Sequence, residues 1–210
     1  MARAQLPLLV LTLLITGLTW TAPAWAQQAA GPLVEANSPL LGKPLPNLMG
    51  PALLSPGILN LVKMQRELYV PRDANGQFVK DASGRIKMEV KKYALVISFF
   101  ATYCQPCLRE IPTFNRIAAS YAQRPVHFLY VNVDTDHSFA EMKQFATEHS
   151  IQVEMMFPNV QQTMASMDVK TLPRIVIADP NGTVRQVIVG FQSDLAAQLA
   201  AVLNKIIPAS

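Results

Sequence analysis

Apolar residues fall along this chain in two rhythms. Ala94 to Phe100 reads ALVISFF, with Ser98 as its only polar member, and Val126 to Val133 reads VHFLYVNV. Arg174-Ile175-Val176-Ile177-Ala178 follows Leu172-Pro173, and Thr183 to Val189 follows Asp179-Pro180-Asn181-Gly182. Runs without a polar stripe predict strands covered on both faces. The Asp-Pro-Asn-Gly turn signal predicts that the last two strands form a hairpin. Between the runs the period lengthens to that of a helix. Leu108 to Tyr121 sets Ile111, Phe114, Ile117 and Ala118 on one face, and Pro112 inside it is expected to bend the axis. Phe139 to Thr147 offers Phe139, Met142, Phe145 and Ala146 as a buried side. Gln152 to Phe157 reads as a short extended piece and Gln161 to Met167 as a short helix. Asp194 to Ile207 predicts a terminal amphipathic helix with Leu195, Leu199, Val202, Leu203 and Ile206 inward. Strand, helix, strand, helix, hairpin, helix predicts an α/β fold with a central mixed sheet flanked by helices.

The first half is less regular. Residues 1–26 have the anatomy of a secretory signal peptide: Arg3, an apolar stretch from Leu6 to Leu18, and Ala24-Trp25-Ala26 as a cleavage site. An uncleaved anchor is the alternative, although the apolar stretch is short for a span. Residues 27–56 read as a linker entering an N-terminal edge. Residues 57–92 read as an extension. In it, Ile58, Leu61, Val62 and Leu68 suggest a short helix closed by Pro71. Gln77 to Lys80, between the turn signals Asp73-Ala74-Asn75-Gly76 and Ala82-Ser83-Gly84, and Arg85 to Val90, beyond the second, suggest the two arms of a small hairpin. Residues 93–207 form the main domain.

Composition adds two constraints. The net charge of +4 over 210 residues, with no dense Lys/Arg patch, gives no support to nucleic-acid binding. The chain has only two cysteines, Cys104 and Cys107, too few for a disulfide scaffold. They sit where a buried strand passes into a helix, and a helix N-terminus stabilises a thiolate. Cys-x-x-Cys is also half of a zinc site, but His127, His137 and His149, the only histidines, lack ligand spacing to the pair. A static structural disulfide closing so short a loop constrains little unfolded chain. A switchable dithiol is the reading favoured over both.

At Phe99-Phe100-Ala101-Thr102-Tyr103-Cys104-Gln105-Pro106-Cys107, continued by Leu108-Arg109-Glu110-Ile111-Pro112, the chain resembles the thioredoxin superfamily, most closely its secreted TlpA/ResA-type thiol–disulfide oxidoreductases. The resemblance spans roughly Tyr93 to Ile207. It implies a thioredoxin-like three-layer fold, with Cys104 as exposed nucleophile and Cys107 as resolving thiol. Pro173 matches the cis-proline beside the dithiol. The Asp136 to Phe157 stretch matches a helix-bearing insertion of this branch. Glu110 matches an acidic residue common there and is the best charged candidate for tuning the dithiol. Gln105 and Pro106 set the loop between the thiols. Three positions depart from the pattern. Tyr103 stands in place of the usual tryptophan, Leu172 replaces threonine or valine before the proline, and Ser98 stands where thioredoxin has a buried aspartate.

The expected function is an exported thiol–disulfide oxidoreductase, a reductase of protein disulfides with a place in cytochrome c maturation. Its expected partners are a protein disulfide substrate and a membrane thiol–disulfide electron donor. No cofactor, metal or nucleic acid is implied. The expected location is the periplasm or the exterior. The alternatives are a disulfide oxidase or isomerase, and a binding or chaperone-like module on the same fold.

Overall fold

The computed structural model describes residues 34–208. The expected signal peptide and residues 27–33 lie outside them. The elements in chain order are β1 (Met49–Pro51), β2 (Ile58–Asn60), α1 (Leu61–Met64), β3 (Arg66–Tyr69), β4 (Glu89–Lys92), β5 (Ala94–Phe100), α2 (Gln105–Ser120), β6 (Val126–Asn132), α3 (Phe139–Glu148), β7 (Met155–Met156), α4 (Val160–Ser166), β8 (Arg174–Ala178), β9 (Val184–Val189) and α5 (Leu195–Ile206).

Five strands make the central sheet, in the order β7-β6-β5-β8-β9. β6 runs parallel to both β5 and β7, while β8 is antiparallel to β5 and β9, so the sheet is mixed as expected. All seven residues of β5 are buried, Ser98 among them. A continuous apolar run suits only the middle of a sheet covered on both sides. Side chains alternate across it. Ser98 and Phe100 share a face with their partners Tyr130 and Asn132 on β6. Phe114 of α2 packs on Tyr130, and Phe145 of α3 stacks on Phe100, so both helices cover that face. α5 lies against α2, where the Tyr121 hydroxyl donates to Asn204.

Three expectations need correction. Phe139 opens α3 but is 42 % exposed and packs on Phe157. Ser138 caps the helix through a capping box with Glu141, so Phe139 is its first residue, as expected, but lies at the exposed end of the first turn. The helix expected from Ile58 to Leu68 survives only as the single turn α1. Its flanks are drawn into strands, because Leu59 pairs with Gly50 and Leu68 with Val90. Cross-strand partners outweigh a weak helical period in so short a segment. The stretch read as a linker is also more than that. From Val34 onward it runs along the sheet, bridging Ile188, Thr183 and Met156, and it buries Leu40, Leu45, Leu48 and Leu53. Glu154 fixes it by accepting the N–H groups of Leu53, Leu54 and Ser55 at 3.1, 2.8 and 2.9 Å.

Between β3 and β4 the chain makes a ribbon. Its arms Gln77 to Lys80 and Arg85 to Val90 meet at the bridge Lys80 to Ile86, as the hairpin reading expects. The first arm also bridges Arg72 to Phe78, just beyond Pro71, which adds a strand-like edge. Asp73 and Asp81 each fold a turn by accepting backbone N–H groups two and four residues ahead.

Gly50 marks a tight seam between the N-terminal segment and the sheet. A Cβ there would stand 2.5 Å from the Phe157 carbonyl oxygen, which is backbone and cannot swing away. Gly50→Ala is expected to destabilise the protein by about 1–3 kcal/mol. A urea titration against the parent checks this through the unfolding midpoint.

Candidate functional site

β5 delivers the chain to the cysteines at its C-terminal end. Ala101 to Cys104 forms a turn closed by the Cys104 N–H on the Ala101 carbonyl at 3.0 Å. Asp134, just beyond β6, holds this turn from the side. Its Oδ2 accepts the Thr102 N–H at 2.9 Å and an N–H of the Asn132 amide at 2.7 Å. The Thr102 hydroxyl and His137 Nε2 lie 2.9 Å apart.

α2 begins at Gln105, three residues before the expected start, and Cys104 is its N-cap. Pro106 fits the first turn, where its missing N–H has no helical partner to lose. The cap is made by sulfur: the Cys107 N–H donates to Cys104 Sγ at 3.2 Å. Pro112 lies inside the helix on its exposed side without ending it.

Cys104 and Cys107 form a disulfide with an S–S distance of 2.04 Å and a Cα–Cα distance of 5.2 Å. Cys104 was expected exposed, yet it is only 7 % accessible, and Cys107 3 %. Tyr103, beside Cys104, is 74 % exposed. It projects outward and lines a cleft with Asp134, His137, Val160 and Met164. Gln105 is exposed and Pro106 half-buried.

The Leu172–Pro173 peptide is cis, as the resemblance implies. Pro173 is buried and leads into β8, whose Arg174 pairs with Phe99 at the C-terminal end of β5. The proline therefore arrives at the same end of the sheet as the disulfide, with half-buried Leu172 before it. Its carbonyl accepts the Gly190 N–H at 2.8 Å, which ties the Pro173 loop to the turn after β9. From that turn Phe191 lies under the Arg109 guanidinium at 4.6 Å, next to Glu110.

Glu110 is 3 % accessible, on the inner side of α2 one turn beyond Cys107. Neither carboxyl oxygen has a well-formed hydrogen bond. Burial pushes its pKa up to about 8, and the Gln192 backbone N–H opposes this only weakly. The Tyr130 hydroxyl is also buried and unpartnered, and its phenol is pushed up by burial first and by the nearby Glu110 second. Ser98, paired with Tyr130 across β5 and β6, points to the same layer.

Sequence reasoning missed Tyr130, Asp134 and Arg174. Tyr130 reads as one more apolar residue of a strand. Asp134 reads as a strand terminator, although Asn132 and Asp134 two residues apart at a strand end are a usable signal for side-chain turns. Arg174 is 2 % accessible and pairs with Glu35 at 2.7 Å and Asp168 at 3.6 Å. No local pattern links it to Glu35.

The raised Glu110 pKa has a sign. The folded state keeps the proton that an unfolded glutamate loses near its ordinary value of 4.5. Stability attributable to this proton is fully present below that value and is lost as pH rises through about 8. Glu110→Gln is expected to remove most of this decline. Thermal melts of the oxidised proteins across pH 5 to 9 check it: the parent loses on the order of a few kcal/mol more than the variant across that range.

Comparisons with known proteins agree with this geometry. The thiol-disulfide oxidoreductase ResA of Bacillus thuringiensis (strain Al Hakam) is 25% identical over 147 residues, which cover 69% of this chain and 82% of that protein. The thioredoxin domain of a thiol-disulfide oxidoreductase from Bacteroides vulgatus superposes with a TM-score of 0.60 at 15% identity, covering 80% of this chain and 100% of that one. A secreted thiol-disulfide isomerase from Corynebacterium glutamicum superposes with a TM-score of 0.56 at 15% identity, covering 77% and 84%. The family model described as AhpC/TSA family matches residues 77–187. A thioredoxin fold, a Cys-x-x-Cys disulfide at the end of its central strand and a matching family model together make this chain a thiol–disulfide oxidoreductase that belongs to the AhpC/TSA family.

Proposed function

We propose that the protein is an exported reductase of protein disulfides, with Cys104 as nucleophile and Cys107 as resolving thiol. The observation that carries this reading is Cys104 Sγ as the helix cap, accepting the Cys107 N–H. A thiolate there gains from the helix dipole and from a donor already in place.

The cycle starts from the reduced pair. The Cys104 thiolate attacks one sulfur of a substrate disulfide, and the other substrate sulfur leaves as thiolate. Cys107 then loses its proton and attacks Cys104 Sγ. The mixed disulfide breaks, the second substrate sulfur leaves, and the Cys104–Cys107 disulfide remains. Two electrons have passed to the substrate. Glu110 is the candidate acceptor for the Cys107 proton, since it lies one turn away in α2 with a pKa near the working range of a general base. It would take the place of the buried aspartate that Ser98 replaces. Pro173 would border the substrate backbone, with Leu172 supplying an apolar contact. Tyr103, Gln105 and Pro106 would shape the mouth of the site.

A membrane thiol–disulfide donor would return two electrons to the disulfide. The leader-like residues 1–26 and the likeness to a protein named as secreted support export. Among the described residues no helix is long and apolar enough to cross a membrane. Cytochrome thiols are a fitting substrate class for a reductase on that side of a membrane.

Cys104→Ser is expected to reduce a model protein disulfide only at the uncatalysed rate. Cys107→Ser is expected to accumulate mixed disulfides through Cys104, because the resolving attack is missing. Mass spectrometry of the trapped species identifies the substrates. Parent-like turnover in Cys104→Ser overturns the assignment of roles. A reduction potential as high as about −120 mV, that of a strong oxidant, overturns the reductase direction.

A further inference from the structure

The ribbon from Arg66 to Lys92 stands apart from the dithiol in both place and character. It joins the core at Tyr93, before β5, whereas the cysteines follow β5. Seven residues of strand, roughly 20 Å, separate the two ends. Lys92 bonds Asn181 in the turn between β8 and β9, at the same far end.

The ribbon has two unlike faces. Leu68 and Val90 are direct partners, and alternation sets Val70, Ile86 and Met88 on their side. All five are exposed, Leu68 at 66 % and Met88 at 62 %. On the other side the Tyr93 hydroxyl donates to Glu67, and the Lys91 ammonium lies 5.1 Å from the Tyr93 ring centre. Glu67 and Lys91 thus meet Tyr93, while the five apolar side chains are left open to solvent.

Residues 66–92 carry seven basic and four acidic side chains, so this segment holds most of the chain's net charge of +4. The four acids are engaged within the ribbon and at its base. Glu67 accepts from Tyr93 and Glu89 from Tyr69. Asp73 and Asp81 fold their own turns. Among the described residues Arg66, Arg72, Lys80, Lys91 and Lys92 pair with no carboxylate. The ribbon presents apolar side chains within a positive rim.

We propose that this ribbon docks the protein on an anionic phospholipid bilayer, with the dithiol at the end that points away from the lipid. The charge selects among occupants. A second copy would bring a like-charged rim against this one, which is repulsive. A substrate engaged at Cys104 sits at the other end of the sheet. A negatively charged surface with an apolar layer beneath it satisfies both features of the ribbon at once.

Vesicle co-sedimentation of residues 27–210 tests this. That chain keeps the whole described core, Leu40 to Ile207, and omits the apolar stretch from Leu6 to Leu18 that would bind lipid by itself. The expected result is binding to vesicles containing phosphatidylglycerol at least about tenfold tighter than to phosphatidylcholine vesicles, weakening as salt rises. Two variants, Leu68→Ser with Met88→Ser and Arg66→Glu with Lys80→Glu, are each expected to lose about tenfold or more. Their side chains are solvent-exposed, and near-ultraviolet circular dichroism checks that the fold is kept. Equal binding to both vesicle types, or parent-like binding by the charge-reversed variant, overturns the proposal. So does a parent that ignores vesicles but is held through this ribbon by an acidic protein.

Discussion

The site depends on one constraint: a strand with no exposed residue must hand its chain to a helix whose first donors need partners. β5 is pinned on both faces and by both neighbouring strands, so its C-terminal end cannot shift along the sheet without moving Val96, Ile97 and Phe99 out of register. The turn that follows is held as well, because Asp134, just beyond β6, accepts the Thr102 N–H. Cys104 is then the only side chain in position to cap α2, and it does so with sulfur. Serine or aspartate would cap more strongly, with a mean benefit of roughly 1 kcal/mol over a non-capping residue. A thiol in the capping position surrenders some of that helix stability and makes the cap itself the reactive atom.

The same constraint explains what was legible in the sequence. β5 and β8 have the bounds their apolar runs predict, because burial on two faces leaves no polar residue to blur the ends. α2 begins earlier than its apolar period, since Gln105 and Pro106 contribute no buried stripe and belong to the helix only through the cap and the tolerance of proline in a first turn. The cysteine pair was readable because its spacing and setting are local, and the cis-proline at Pro173 through the family resemblance. Arg174 was not readable in the same way. Its partners are Glu35, in a segment that looks like a linker, and Asp168, which adopts a positive φ of 50° beyond α4. A buried arginine needs carboxylates supplied from outside its own strand, and a one-dimensional pattern does not register them. Residues 58–68 failed in the other direction: a helical spacing was present, but the pairing of Leu59 and Leu68 across strands decided the outcome.

Around the disulfide, the loops are linked to one another as well as to the sheet. Pro173 is tied through its carbonyl to Gly190, and the turn that begins there places Phe191 under Arg109 and Gln192 near Glu110. Gln192 is buried and folds its amide back on the Val189 and Gly190 carbonyls. The residue before β8 and the carboxyl inside α2 are therefore connected through one short turn. A displacement of the Pro173 loop by a bound peptide would be felt at the cover over Glu110.

That connection gives the placement of the buried acid a physical meaning. An acid on β5 at the Ser98 position would lie between the buried Tyr130 and Ile175 on the two adjacent strands. On α2, Glu110 sits under the Gly190–Gln192 turn, so its hydration depends on how closely that turn is seated. Its raised pKa arises mainly from lost water, with no strong hydrogen bond to offset it. A small change in cover would alter its proton affinity more than the same change would alter a well hydrogen-bonded carboxylate. Under the proposed cycle, substrate contact at Pro173 and deprotonation of Cys107 would then be coupled through the packing of a single turn. The weakly solvated acid, rather than a tightly bonded one, is the form that makes such coupling physically available.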